Sequence, residues 1–91
     1  MPSYVVTDYT RQQARRLGLE VRSSTRVGKK IDVYRDGKYI GSAGAIGYDD
    51  FPNYIKKKGQ AYAEERRRLY RARHTEGPRD TPSWLAWNLL W

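Results

Sequence analysis

Two runs of alternating apolar and polar residues, Lys30-Ile31-Asp32-Val33-Tyr34-Arg35 and Lys38-Tyr39-Ile40-Gly41-Ser42, flank the pair Asp36-Gly37. Asp-Gly supplies the positive φ angles of a two-residue turn whose twist suits antiparallel strands, so this segment has few alternatives to a β-hairpin. Alternation puts Ile31, Val33 and Arg35 on one face of the first arm, and Asp32 and Tyr34 on the other. Upstream, Leu19 and Val21 alternate with Glu20 and Arg22 over residues 19–25. They add a strand joined to the hairpin by a basic turn, Arg26 to Lys30, centred on Gly28. The expectation is a three-stranded antiparallel meander.

Such a sheet needs a cover on its apolar face, and the flanking sequence offers helices. Thr7 can cap a helix over Asp8–Leu17, Thr10 with Gln13 fits a capping box, and Gly18 stands where a C-terminal glycine belongs. Asp50 and Pro52 open a short helix that ends near Gly59. Gln60 to His74, rich in Ala, Glu, Arg, Leu and Tyr, predicts the longest helix, with Tyr62, Arg66, Leu69, Tyr70 and Arg73 as its inward stripe. Thr81-Pro82-Ser83 starts a last helix in which Trp84, Trp87 and Trp91 recur at three- and four-residue spacing. Between these helices, His74 to Thr81 reads as the loosest segment. Gly41, Gly44 and Gly47, interleaved with alanine, mark a place where something approaches the backbone closely. The fold class is therefore α+β: one sheet, a short N-terminal helix, and two or three C-terminal helices. Residues 1–77 form a basic α+β domain, and residues 78–91 a Trp-rich helix that either completes that unit or docks on a partner.

Ninety-one residues leave room for a single core, and a domain of this size buries only about 60–65% of the surface its unfolded chain exposes. With one Phe but eight Tyr and three Trp, that core is expected to be thin and aromatic. The absence of cysteine excludes a disulfide framework and thiolate zinc, and His74 alone cannot build a metal cluster. No uninterrupted apolar run of about 18 residues and no secretory leader pattern is visible, so a membrane is not an expected partner, and the location is expected to be intracellular.

Charge is the strongest pointer to partners. The chain carries 18 Lys and Arg against 10 Asp and Glu, a net charge of +8, in two blocks of +5 each, at residues 1–30 and 51–77. Phosphate backbones suit such surfaces because neutralising each phosphate releases condensed counterions. The twelve arginines outnumber the six lysines, and the guanidinium fork matches phosphate oxygens and guanine edges. The expected contacts are Arg11, Arg15, Arg16, Arg22, Arg26, Lys29 and Lys30 from the first block. Lys56, Lys57, Lys58, Arg67, Arg68 and Arg71 come from the second, and Arg35 and Lys38 from the sheet. Tyr34, Tyr39, Tyr54 and Tyr70, set among the cations, have rings able to stack on bases or to fill the core.

The carboxylates have structural occupations to hand: Asp36 in the turn, Asp49 and Asp50 in capping, Glu64 and Glu65 pairing with Arg68 along a helix. Gly41-x-x-Gly44-x-x-Gly47 lacks the Gly-Lys-Ser/Thr ending of a phosphate loop. No catalytic constellation, metal site or cofactor site emerges. Trp84, Trp87 and Trp91, with Leu85, Leu89 and Leu90, make a face too apolar to leave in water, so it covers the domain, a second copy or another protein.

Several segments carry a resemblance: Gln13-Ala14-Arg15-Arg16-Leu17-Gly18, Ser23-Ser24-Thr25, Lys30 to Tyr34, Gly44 to Pro52, Arg66 to Tyr70 through His74, and Leu89-Leu90-Trp91. Over about Tyr9 to Trp91 the chain resembles a set of small basic proteins encoded by large double-stranded DNA viruses of protists and algae. That family has no assigned activity, so the resemblance implies a viral setting, in the host cytoplasm or nucleus or within the virion, and no chemistry. The order of three strands followed by a helix is also similar in layout to AP2-type DNA-binding modules, which would make Arg22, Arg35 and Lys38 sheet-borne contacts. The expected function is non-enzymatic binding of nucleic acid, double-stranded DNA above all, through its backbone and with low sequence specificity. The alternative is a virion structural or adaptor protein that grips a protein partner, or itself, through Trp84, Trp87 and Trp91.

Overall fold

The computed structural model describes residues 4–91. Its elements run α1 (Asp8–Arg16), β1 (Glu20–Ser23), β2 (Lys29–Arg35), β3 (Lys38–Ala45), α2 (Phe51–Lys58), α3 (Gln60–Arg73) and α4 (Pro82–Leu89). The sheet is an antiparallel meander in the order β1-β2-β3, as the alternation predicts. Asp36 and Gly37 take φ of 51° and 81°, both positive as the two-residue turn demands. A bulge at Val33/Tyr34 lets Tyr34 pair with Tyr39 while Val33 pairs with Gly41.

One face of the sheet carries the core. Val21, Ile31, Val33 and Ala43 pack against Leu85, Leu89 and Leu90, with Ala14 and Leu19 closing one side. Helix α4 lies on this face beside β3, while α1 is wedged against α4 and β1. The expected caps form: Thr7, Asp50 and Thr81 accept from the backbone N–H groups of Thr10, Asn53 and Trp84, each closing a first-turn donor that the helix itself cannot satisfy. Thr10 is fully buried and donates to the Leu89 carbonyl at 2.7 Å, tying α1 to the end of α4.

The glycine series reports sheet-to-helix approach. A Cβ on Gly41 would sit 3.2 Å from Leu85 Cδ1, and one on Gly44 would sit 2.7 Å from Leu90 Cδ1 and 2.8 Å from Lys30 Cδ. Helices α2 and α3 pack on each other and are joined by Gly59 alone, at φ 94°. The expected inward stripe of α3 holds at Arg66, Leu69 and Tyr70, which are half-buried, and fails at its ends, Tyr62 and Arg73, which are exposed. Ala63 is the only fully buried residue of the helix, and Arg67 takes an inner position with its guanidinium 4.0 Å from the centre of the Phe51 ring. The segment from His74 to Thr81 has no helix or strand, yet Thr75, Glu76 and Pro78 accept hydrogen bonds from Ser83, Asn88 and Thr81.

Candidate nucleic-acid interface

The basic residues fall into three groups that their partners separate. On α1, Arg11, Arg15 and Arg16 are exposed and meet no carboxylate among the described residues. Arg16 is steered by Gln13, whose Oε1 accepts from it at 2.9 Å, while the Gln13 amide donates to the Asn88 carbonyl on α4. On α3, Arg71 lies 5.0 Å from the Trp87 ring centre and donates to the Trp91 carbonyl. The Phe51 ring beneath Arg67 is itself 5.3 Å from Tyr9 in the first turn of α1. Both α1, through Gln13 on Asn88, and α3, through Arg71 on Trp87, therefore reach α4.

A second group lies on the helix-free face of the sheet. Arg22 sits 4.5 Å from the Tyr34 ring centre and Arg26 4.8 Å from that of Tyr39, and the two rings meet edge-on at 5.8 Å. Beneath them Asp32 is buried, accepting from Ser24 and Ser42 hydroxyls at 2.6 Å each and from the Thr25 N–H. Burial alone would raise the Asp32 pKa; the two hydroxyls, the Thr25 amide and the Arg26 charge outweigh it and hold the carboxyl below its ordinary range. The network fixes the basic turn on the sheet. Arg22 is also paired with Glu20 at 3.3 Å. Lys29 and Lys38 are exposed at opposite ends of β2 and β3, without a carboxylate partner among the described residues.

The third group corrects the expectation. Lys30 is not a phosphate contact: it is buried, and its Nζ lies 2.9 Å from the equally buried Asp50 carboxylate and 5.2 Å from the Tyr4 ring centre. Tyr4 donates to the same carboxylate at 2.6 Å. Burial, with the Asp50 carboxylate it bonds, holds the Tyr4 phenol far above its ordinary value. Arg35 is half-buried and paired with Asp80 just ahead of α4, which removes it from the sheet's open face. Lys57 pairs with Asp49 and Arg68 with Glu65, leaving Lys56 and Lys58 as the unpaired members of the α2 run among the described residues. In all, six of the 18 cations approach a carboxylate within 4.0 Å.

The tryptophans are used inside the chain. Leu85, Leu89 and Leu90 are buried, Trp84 packs against the core, and Trp91 stacks on Tyr70 with ring centres 4.4 Å apart and planes 7° apart. Trp87 carries Arg71. The leucine face of α4 is thus covered within this chain, with Trp84, Trp87 and Trp91 half-buried beside it. Arg71 and Arg67 could have been placed from sequence only by knowing that Trp87 and Phe51 lie next to α3, a tertiary fact with no local signature.

Among the described residues no group of three His, Asp or Glu is arranged to hold a metal ion, and no helix is long and apolar enough to cross a membrane. Compared with protein-family models, with curated proteins and with solved structures, the chain matches none.

Proposed function

We propose that this protein is a non-enzymatic nucleic-acid-binding module that holds a phosphate backbone on the side built by α1, α4 and α3. The observation that carries the reading is that Arg11, Arg15 and Arg16 on α1 and Arg67 and Arg71 on α3 are unpaired with any carboxylate among the described residues, on two helices that each touch α4, through Gln13 on Asn88 and Arg71 on Trp87. Five such contacts predict that log K for duplex DNA falls with log salt at a slope of about −4 to −5. Base edges are not required for this mode, so the sequence preference is low.

Fluorescence anisotropy with a labelled DNA duplex across a salt series tests it, with an RNA duplex of the same sequence as the second arm. Replacing Arg11, Arg15 and Arg16 together by Ala is expected to make the slope shallower by about 2–3 and to weaken binding at every sequence alike. An unchanged slope, or an affinity indifferent to salt, refutes the interface.

A further inference from the structure

A cleft of about 500 Å³ opens where the second half of α3 passes the end of β3 and the end of α4, within the roughly 300–1,000 Å³ of small-molecule sites. It is separate in composition from the interface above: neither Arg67 nor Arg71 nor any residue of α1 borders it. Its wall holds a stack of three rings. Tyr70 stacks on Trp91 at 4.4 Å and 7°, and on His74 at 4.2 Å and 18°. Tyr70 lies between the other two, so the three rings form one near-parallel, offset-stacked column. His74, at one end of the column, is exposed, with its ring nitrogen Nδ1 3.0 Å from the Tyr70 carbonyl oxygen.

The polar groups at the cleft are of complementary kinds. Arg66 lines it with its guanidinium 5.5 Å from the Tyr54 ring centre, and its Nε–H is buried without any acceptor. That Nε–H is closed off from the cleft; it is the Arg66 side chain as it borders the cleft that offers a positive charge to an anionic oxygen. Arg73 also borders the cleft and has no carboxylate partner among the described residues. Asp49, held by Lys57 on the opposite wall, offers acceptor oxygens. A flat ring surface, two arginines and one carboxylate suit a ligand that is planar and aromatic, carries an anion, and has a hydroxyl or amine to donate.

We infer that this cleft binds a single unstacked nucleotide, with the base added to the exposed His74 end of the ring column, the phosphate on Arg66 and Arg73, and a sugar or base donor toward Asp49. The base of a paired, stacked nucleotide cannot reach the column, so the occupant is a free mononucleotide or an unpaired residue of a strand. The site goes beyond the duplex interface and does not depend on it. Adenosine 5′-monophosphate, adenosine and inorganic phosphate, added separately, are the probes, and the indole N–H resonance of Trp91, assigned with Trp91→Phe, is the readout. The expected result is a saturable shift of Trp91 with the monophosphate, at least tenfold tighter than with adenosine or phosphate. His74→Ala and Arg73→Ala change exposed residues and should keep the fold. Each is expected to weaken the monophosphate at least fivefold, the lower end of the roughly 5- to 150-fold that one base–aromatic stack contributes.

Equal shifts with phosphate alone, no shift with the monophosphate at 10 mM on the order of the weakest useful site, or unchanged affinity in both variants overturn the inference. A single-stranded oligonucleotide competing better than the monophosphate identifies the strand as the source; the reverse identifies the free nucleotide. Triple replacement of Arg11, Arg15 and Arg16 should leave the Trp91 shift intact. Loss of duplex binding with that shift retained, or the converse, shows which of the two sites has failed.

Discussion

Removing the Asp50 carboxylate should cost this protein more than removing the Lys30 ammonium bound to it. Asp50 accepts from Lys30 Nζ at 2.9 Å, Tyr4 Oη at 2.6 Å, the Asn53 N–H at 3.2 Å and Asn53 Nδ2 at 2.7 Å. Lys30 has that one carboxylate as its hydrogen-bond acceptor among the described residues, together with the Tyr4 ring. Asp50→Ala therefore strands a buried ammonium, at about 3–5 kcal/mol, and deletes the α2 cap, at about 1 kcal/mol. A 91-residue domain has on the order of 5–14 kcal/mol in total, so a fall in Tm of about 12 °C or more is expected. Lys30→Met leaves the carboxylate three donors and should cost at least about 1 kcal/mol less. In the double variant Lys30→Met with Asp50→Ala the two costs should not add, with a coupling of about 1.5–3 kcal/mol. Equilibrium urea unfolding followed by circular dichroism measures all four corners of the cycle. Additive effects, or a Lys30→Met variant less stable than Asp50→Ala, would refute the reasoning. Lys30→Met should also leave the salt slope of duplex binding untouched, because the ammonium is not at the surface.

Asp32 gives a pH dependence with a definite sign. Its folded pKa lies below the ordinary 3.8, so its stabilisation is fully present above that value and is lost as pH falls below it, through the folded pKa. Asp32→Asn should accordingly flatten the acid limb of a urea-midpoint profile below pH 4 on the order of the ordinary carboxylate range; an unchanged limb would show that other carboxylates govern it. Glycines separate by surroundings: Gly44→Ala combines a positive φ with a 2.7 Å clash on Leu90 and should cost about 2–5 kcal/mol. Gly47→Ala meets open space and should cost only the backbone strain of about 1–2 kcal/mol. Equal losses in chemical denaturation would contradict that assignment.

Local chemistry was readable in the sequence and tertiary partnership was not. Asp36-Gly37 dictates its turn because the requirement, two positive φ angles, is met within the two residues. The caps at Thr7, Asp50 and Thr81 are legible for the same reason, as are Ile31 and Val33 turning one way and Asp32 the other. Lys30 reads as solvated because it closes a basic run, Arg26 to Lys30. Its neutralising partner stands 20 residues on, where Asp50 already has a visible occupation as a cap. On α3 periodicity finds Arg66, Leu69 and Tyr70 and misplaces the two ends, because Tyr62 meets the Tyr54 ring yet stays exposed while the small Ala63 beside it is buried.

The way the cations are held bears directly on what they can bind. An arginine fixed by a carboxylate is positioned and neutralised together, as with Arg35 on Asp80 or Arg68 on Glu65. An arginine resting on a ring is positioned by the negative face of a quadrupole, which leaves its full charge unspent. Arg67 on Phe51, Arg71 on Trp87 and Arg26 on Tyr39 are held in this second way. Holding the side chain in place lowers the ordering entropy that a phosphate contact would otherwise have to overcome. The aromatic weighting of this chain and its positive charge thus belong to one design. Rings that a small core needs for volume also present guanidinium groups outward, ordered and still charged. Exchanging Trp87 for Leu would keep α4 apolar while releasing Arg71, and duplex affinity should then fall with the salt slope unchanged, since the charge remains and only its placement is lost. A slope steeper by about one would show instead that the ring, and not the phosphate, was where that charge was engaged.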